Sequence, residues 1–336
     1  MLSWRLSAPK KLNLEELPSK PIPSGFVKVK VEYSAISRLD LLAYEGKVAI
    51  PKLPITLGRQ AVGMITEAGE DVTNFERGNR VVLDPFLCCD DCSGAKKNSC
   101  VVSRAYGIDE DGFLSDFVVV RKQEAFLLPN HIKSTDAIFV PHIALANNIV
   151  SKLQLKKGEH IVILGSNIVG LILAQVAIHY QAVPIIIDHR PERLSLAESL
   201  GAYYCINPEE EDAVKKIFAI TGGNMSEALC YSTQSAHEPS KTFDYLAYGG
   251  RIAVIGWAGT ETNMQTTIAP ILQKQLSVIG ISNGAKLIPS ALNMIALSGV
   301  KTAPLISKEI PFSEVGSCIE TSVNTFQEHL KVLVKM

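Results

Sequence analysis

The second half of the chain alternates short apolar runs with helix-length segments, and this rhythm restricts the fold more than any other feature. HIVILG leads into NIVGLILAQVAIHYQA, PIIID into RPERLSLAESLG, YCIN into DAVKKIFAIT, and ALCYST into SKTFDYLAYGG; RIAVIG and LSVIGIS follow as further strands. Apolar strands without polar alternation are buried on both faces, and strands separated by helices pair in parallel. Residues 145–284 are therefore expected to form a doubly wound parallel α/β sheet. After it PSALNMIALSG reads as a helix, and PLISKEIPF and HLKVLVKM read as strands that return to the first half of the chain.

Residues 1 to about 130 have another texture. FVKVKVEYSAI, GMITEAG, GNRVVLDP and GFLSDFVVV are β-branched runs bounded by Gly, Pro, Asn or Asp, which predicts an all-β half, a small distorted barrel. A chain of 336 residues fits two domains, here 1–144 with 285–336, and 145–284. Its 33 basic and 34 acidic residues leave a net charge of −1 with no run of five like charges. Nucleic acid and anionic membranes lose their electrostatic attraction for such a surface, so a small-molecule ligand is expected. No apolar run approaches the roughly twenty residues of a membrane span, and MLSWRLSAPKKLNL lacks a signal-type apolar segment. The expectation is a cytoplasmic protein.

The first turn of the parallel half carries chemistry. In ILGSNIVG, Gly165 and Gly170 occupy the first and third positions of the GxGxxG dinucleotide fingerprint, and Asn167 the middle one. A strand precedes this turn, a helix follows, and the next strand ends in Asp188. The free N–H groups at the helix start would face a pyrophosphate, and Asp188 would accept from the ribose hydroxyls, which favours NAD. His189 and Arg190 after it keep NADP open. Asn tolerates positive φ better than other non-glycine residues, so the turn is expected to survive with its side chain in ligand space. Ile168 and Arg193 complete the cofactor-side set.

A second motif is CCDDCSGAKKNSC. Cys88, Cys89, Cys92 and Cys100 gather four of the seven cysteines, and an odd, clustered set in a reducing compartment points to metal before disulfides. Four thiolates suit a closed tetrahedral zinc site of structural type.

Together these stretches resemble the medium-chain dehydrogenase/reductase superfamily, in particular its zinc-containing alcohol, sorbitol and threonine dehydrogenases. The similarity runs from KVKVEYSAISRLDLLAYEG through PITLGRQAVGMITEAGEDVTNFERGNRVVLDP, the cysteine lobe, GFLSDFVVV, ILGSNIVGLILAQVA, IIIDHRPERLSLAESLGA and YGGRIAVIG to PLISKEIPF. It implies a GroES-like catalytic domain completed by the C-terminal segment, a Rossmann cofactor domain, an active site in the cleft between them, and a homodimer or homotetramer.

Where the family has its catalytic zinc ligands, this sequence departs. Ser37 in ISRLD stands in place of a cysteine, Arg59 and Gln60 in place of a GHE histidine and glutamate, and Val140 in place of a further glutamate. Leu39 replaces the relay hydroxyl. None of these is a good zinc ligand, so the resemblance implies a relative without catalytic zinc. In the structural lobe Phe86 stands at the first cysteine position, leaving Cys88 as fourth ligand. Arg38 takes the place of an arginine that approaches the cofactor pyrophosphate. Gln234 in STQS stands where a glycine is usual.

Arg59 is then either an electrophile that polarises a substrate carbonyl or a structural partner of Asp40 or another carboxylate. His142 and Tyr33 are the candidate proton donors, with Ser37 beside them. Three function classes follow: an NAD(P)-dependent oxidoreductase acting on a small alcohol, polyol, ketone or activated double bond without catalytic zinc; a non-catalytic dinucleotide-binding sensor or partner protein; and a zinc enzyme with relocated ligands.

Overall fold

The strand Phe26–Ile36, eleven residues long, organises the first of two units into which the chain divides. That unit comprises Met1–Pro141, Ile288–Leu297 and Thr302–Met336; the second comprises His142–Leu287 and Ser298–Lys301. The computed structural model describes residues 1–18, 21–87, 104–232, 239–256, 268–284, 287–325 and 329–336.

In the first unit a seven-stranded sheet runs in the order Ala125–Leu127, Arg80–Leu83, Ala61–Ala68, Phe26–Ile36, Lys331–Lys335 and Ile306–Pro311, with Phe117–Arg121 also paired to Phe26–Ile36. The C-terminal strand pairs antiparallel to the central one, Val332 facing Ile36 and Lys335 facing Tyr33, so HLKVLVKM does return to the first half. Alternation along the central strand feeds two cores. Val27, Val29 and Val31 pack with Ile65, Val81, Leu83 and Phe113, whereas Ile36, Val332 and Val334 pack with Trp4, Leu6, Leu57 and Ile319. A three-stranded sheet of Lys11–Glu16, Leu2–Ala8 and Ile55–Thr56 lies apart from the larger one.

The second unit holds a six-stranded sheet in the order Tyr204–Ile206, Val183–Ile187, His160–Leu164, Ser226–Ser232, Leu246–Ile255 and Ser277–Ile281, parallel throughout. Counted within the unit this is strand order 3-2-1-4-5-6, the doubly wound arrangement, whose ligand crevice falls at the carboxyl ends of its first and fourth strands. The helix Ile168–His179 leaves the first strand and is buried along nearly its whole length, which its apolar sequence on every face requires.

One segment differs from the sequence expectation. SKTFDYLAYGG, read as a helix, forms a short 3-10 stretch to Tyr245, and then Leu246 opens the strand that ends at Ile255. A register irregularity carries the pairing from Ser226/Leu246 to Ala228/Arg251. Gly249, at φ 72°, supplies the conformation that lets this strand absorb the extra residues. Among the described residues no helix is long and apolar enough to cross a membrane.

Candidate functional site

In TLGRQAVG the backbone turns at Gly58, whose φ of 96° is left-handed; a Cβ there would stand 2.6 Å from the Leu114 amide nitrogen. Three backbone hydrogen bonds fix the stretch: Gly112 N–H donates to Thr56 (2.7 Å), Phe113 N–H to Gly58 (3.0 Å) and Leu114 N–H to Leu57 (2.8 Å). The side chain that follows is thereby committed to the interior. Arg59 is 8% exposed, and its guanidinium carbon lies 5.0 Å from the centre of the Phe86 ring. Burial lowers its pKa to about 10, while the carboxylates of Asp40, Asp84 and Asp109 oppose that shift. Arg59 therefore remains a cation at neutral pH.

Asp40 is held in place by the start of the helix Arg38–Tyr44. Ser37 is its N-cap and forms a capping box with Asp40. Asp40 Oδ2 accepts from the Ser37 N–H (2.8 Å) and the Ser37 hydroxyl (2.5 Å), and Oδ1 accepts from the Gly58 N–H (2.8 Å). One buried carboxylate thus ties the helix cap to the Gly58 turn. Lys331 joins the same group from the C-terminal strand: it is 2% exposed, with Nζ 3.5 Å from the Gln60 Oε1. Burial lowers its pKa to about 8, Asp40 opposes that shift, and Arg59 adds to it.

Of the expected catalytic residues, the structure brings Ser37 and Arg59 together through Asp40, with Ser37 acting as a helix cap. Tyr33 points elsewhere: its hydroxyl donates to Glu309 (3.4 Å) on an exposed edge. His142 belongs to the second unit, in the first turn of the helix Val140–Lys152. Arg38 is half-buried in the first turn of the helix that Ser37 caps. Leu39 and Val140 are core residues. Cys88, Cys89, Cys92, Cys100 and Gln234 lie outside the described residues.

Sequence reading missed two members of this cluster. Phe86, noted only for the cysteine it replaces, is the aromatic face over which Arg59 lies. Lys331 looked like a residue of an ordinary strand; the usable signal was a lysine in phase with Leu333 and flanked by Leu330 and Val332.

In the second unit, the strand His160–Leu164 ends in Gly165 at φ 96°. A Cβ on Gly170 would lie 2.1 Å from the Gly165 carbonyl oxygen, so the third fingerprint glycine is required by close packing. Asn167 corrects the sequence expectation. Its φ is −76°, in extended backbone, and its side chain accepts from the Gly170 N–H (3.0 Å) as helix N-cap; the positive φ falls on Gly165 instead. Ile168 is the first helical residue, and the turn presents the strand–glycine–helix geometry that suits a pyrophosphate.

Asp188 is buried, and its oxygens accept from the Ser166 N–H (2.8 Å) and hydroxyl (2.6 Å) and from the Arg190 N–H (3.0 Å), Nε (2.9 Å) and one terminal nitrogen (2.8 Å). Burial pushes its pKa up, yet the hydrogen bonds from Arg190 and Ser166 outweigh it and hold the carboxyl well below the ordinary carboxylate range. Arg193, buried on the next helix, has its pKa lowered by burial and by Arg190.

Whether Ser37, Arg59 and Gln60 fit a metal is a question of donor chemistry. The first gives its hydroxyl proton to Asp40, the second is a cation, and the third turns its amide oxygen toward the Lys331 ammonium. Two buried cations repel a divalent ion, so this set does not fit one. Among the described residues no three His, Cys, Asp or Glu side chains gather as a metal set.

Comparison with known proteins gives the following. Residues 23–130 match the family described as alcohol dehydrogenase GroES-like domain, and residues 169–297 the family described as zinc-binding dehydrogenase. The chain is 31% identical to a zinc-type alcohol dehydrogenase-like protein of Haemophilus influenzae, over 97% of this chain and 96% of that one. It is 27% identical to the sorbitol dehydrogenase of Halalkalibacterium halodurans, over 90% and 89% of the two chains. Among solved structures, an alcohol dehydrogenase of Escherichia coli in complex with NADH superposes with a TM-score of 0.89 at 24% identity, covering 100% of this chain and 99% of that one.

Proposed function

This chain belongs to the medium-chain dehydrogenase/reductase superfamily, and from that premise we propose that it is an NAD(P)-dependent oxidoreductase that moves a hydride to or from a small alcohol, polyol or ketone without a catalytic zinc. The observation that carries the second part is Arg59: a buried cation over the Phe86 ring, its charge favoured by Asp40, Asp84 and Asp109, at the position where the family resemblance places a metal ligand. A bound dinucleotide supplies or takes the hydride. The Gly165–Gly170 turn would hold its pyrophosphate, with Ile168 at the helix start and Arg38 as a further phosphate partner. Asp188 would meet its ribose.

Arg59 presents a fixed charge and several N–H donors to an oxygen that becomes negative as a carbonyl is reduced, the work of an oxyanion stabiliser. Asp40 fixes the electrostatics around that guanidinium, and Ser37 fixes Asp40. His142 remains a proposed proton donor, whereas the Tyr33 hydroxyl is engaged with Glu309 away from Arg59. Asp188 supports NAD, since a 2′-phosphate would meet its charge; Arg190, already against that carboxylate, is the residue through which NADP would be accepted. Parallel fluorescence titrations with NADH and NADPH decide between them. We also propose a structural zinc on Cys88, Cys89, Cys92 and Cys100, to be checked as zinc per chain, and a homodimer or homotetramer, which a monomer in sedimentation would contradict.

The test is NADH formation from a panel of polyols and secondary alcohols. We expect Arg59→Ala to lower turnover about a hundredfold while NADH affinity stays unchanged, and Arg59→Lys to recover only part of the loss. Equal turnover by Arg59→Ala would remove Arg59 from the reaction. NADH binding with no turnover of any panel member would instead support the sensor reading, which the relatives named as dehydrogenases do not favour.

A further inference from the structure

Asp188 stands just beyond the strand Val183–Ile187, at the carboxyl end of the parallel sheet, where a doubly wound fold places the acid that takes the ribose 2′-hydroxyl of a dinucleotide. A hydroxyl can donate there only to an oxygen with a lone pair to give. A carboxylate offers about four such sites, and Asp188 already meets five donors. Oδ2 accepts from the Ser166 N–H, the Ser166 hydroxyl and one Arg190 terminal nitrogen, and Oδ1 accepts from the Arg190 N–H and Nε. The charge of Asp188 favours NAD only while the carboxylate is open to a ribose, and here it is closed.

These donors differ in what can release them. Ser166 is buried and follows directly on Gly165, so neither of its bonds breaks without disturbing that turn. The Arg190 N–H is backbone, at the N-cap of the helix Pro191–Ser199. The Arg190 side chain is less confined: it is 26% exposed, against 2% for that of Asp188, and it can swing outward while its own backbone stays bonded to the carboxylate. Two more basic side chains stand close by. His189 is 39% exposed, with Nδ1 3.8 Å from the Asp188 Oδ1, and Arg193 is buried in the first turn of the same helix. Glu192 is the acid of that turn and is exposed. All of these residues belong to the second unit.

We propose that Arg190 selects the dinucleotide: folded onto Asp188 it closes the ribose site to a 2′-hydroxyl, and on its exposed side it pairs with a 2′-phosphate, so that NADP(H) binds more tightly than NAD(H). The proposal rests on the dinucleotide-binding reading and deepens it. A 2′-phosphate leaves every hydrogen bond of Asp188 in place and adds charge-assisted bonds to a guanidinium whose planar fork suits phosphate oxygens. A 2′-hydroxyl must first displace that guanidinium from a buried carboxylate, so NAD(H) binds, but more weakly. Asp188 is then the positioning residue for Arg190, and Ser166 holds Asp188.

The experiment compares adenosine 2′,5′-bisphosphate with 5′-AMP by calorimetry on the full-length protein, because the two probes differ in the 2′-phosphate alone and neither carries a nicotinamide. The bisphosphate is expected to bind about tenfold more tightly. Arg190→Gln, which keeps an amide donor beside Asp188, is expected to bring the two probes level, and Arg190→Ala to place 5′-AMP ahead, with NADPH and NADH following the same order in fluorescence titrations. Equal or tighter binding of 5′-AMP by the parent protein, or an unchanged preference in either variant, would overturn this role and leave the hydride-transfer reading standing. Binding of neither probe and neither dinucleotide by the parent protein would overturn the dinucleotide reading itself, and this role with it.

Discussion

Asp40 decides how the residues around Arg59 behave. Replacing it with asparagine keeps the shape but removes a charge that favours both Arg59 and Lys331, and breaking a buried pair by deleting one partner costs about 3–5 kcal/mol. Urea unfolding of Asp40→Asn is expected to show a loss of that order at pH 7, and a loss under about 1 kcal/mol would mean that the cations are compensated elsewhere. Lys331 gives a pH signature of its own. Its pKa is about 8 in the fold against an ordinary 10.5, so between those values the unfolded chain holds a proton that the folded chain has released. Stability therefore rises with pH across that window, and below it the full burden of the buried charge is felt. Lys331→Met is expected to be more stable than the parent at pH 7, with the advantage fading between pH 8 and 10.5, as read by unfolding at a series of pH values. Of this cluster, Arg59 was legible in the sequence, because a cation between two glycines of an apolar stretch is conspicuous. Lys331 and Phe86 were not: they stand on strands distant from Arg59 in sequence, and only the tertiary fold brings them to it.

The elements tell a similar story about local and non-local information. The strand–turn–helix at Gly165 was readable because every requirement is local: an apolar strand, a glycine where φ turns positive, and a glycine where the helix must touch the turn. Gly170→Ala places a Cβ 2.1 Å from the Gly165 carbonyl oxygen, which no rotamer relieves. This variant is expected to bind NADH at least about tenfold more weakly by fluorescence titration, since the turn must open and its N–H groups lose their aim. Equal affinity would place the dinucleotide elsewhere. Asn167 was misjudged for an equally physical reason: the sequence shows a side chain that tolerates positive φ, but the turn needed a helix cap at that position. The strand Leu246–Ile255 was read only from Arg251 onward, because its irregular pairing with Ser226–Ser232 hides the continuity of its first residues.

At the scale of the whole molecule, the two textures of the sequence became two units with different sheets, one mainly antiparallel and rejoined by the C-terminal strand, the other fully parallel. Fold class could be read because hydrophobic periodicity and turn spacing are properties of long stretches, and many weak signals agree. In the reading proposed above, the chemistry runs on protein cations in place of a catalytic metal. A catalytic zinc keeps an open coordination position and a four-thiolate structural zinc does not, so a bidentate chelator such as phenanthroline inhibits the first kind at once and leaves the second untouched on the same time scale. The direct measurement is the initial rate of NADH formation with and without phenanthroline, on an alcohol from the panel that the wild-type protein oxidises. The rate is expected to stay unchanged; immediate inhibition that is reversed by added zinc would mean that a catalytic metal is at work.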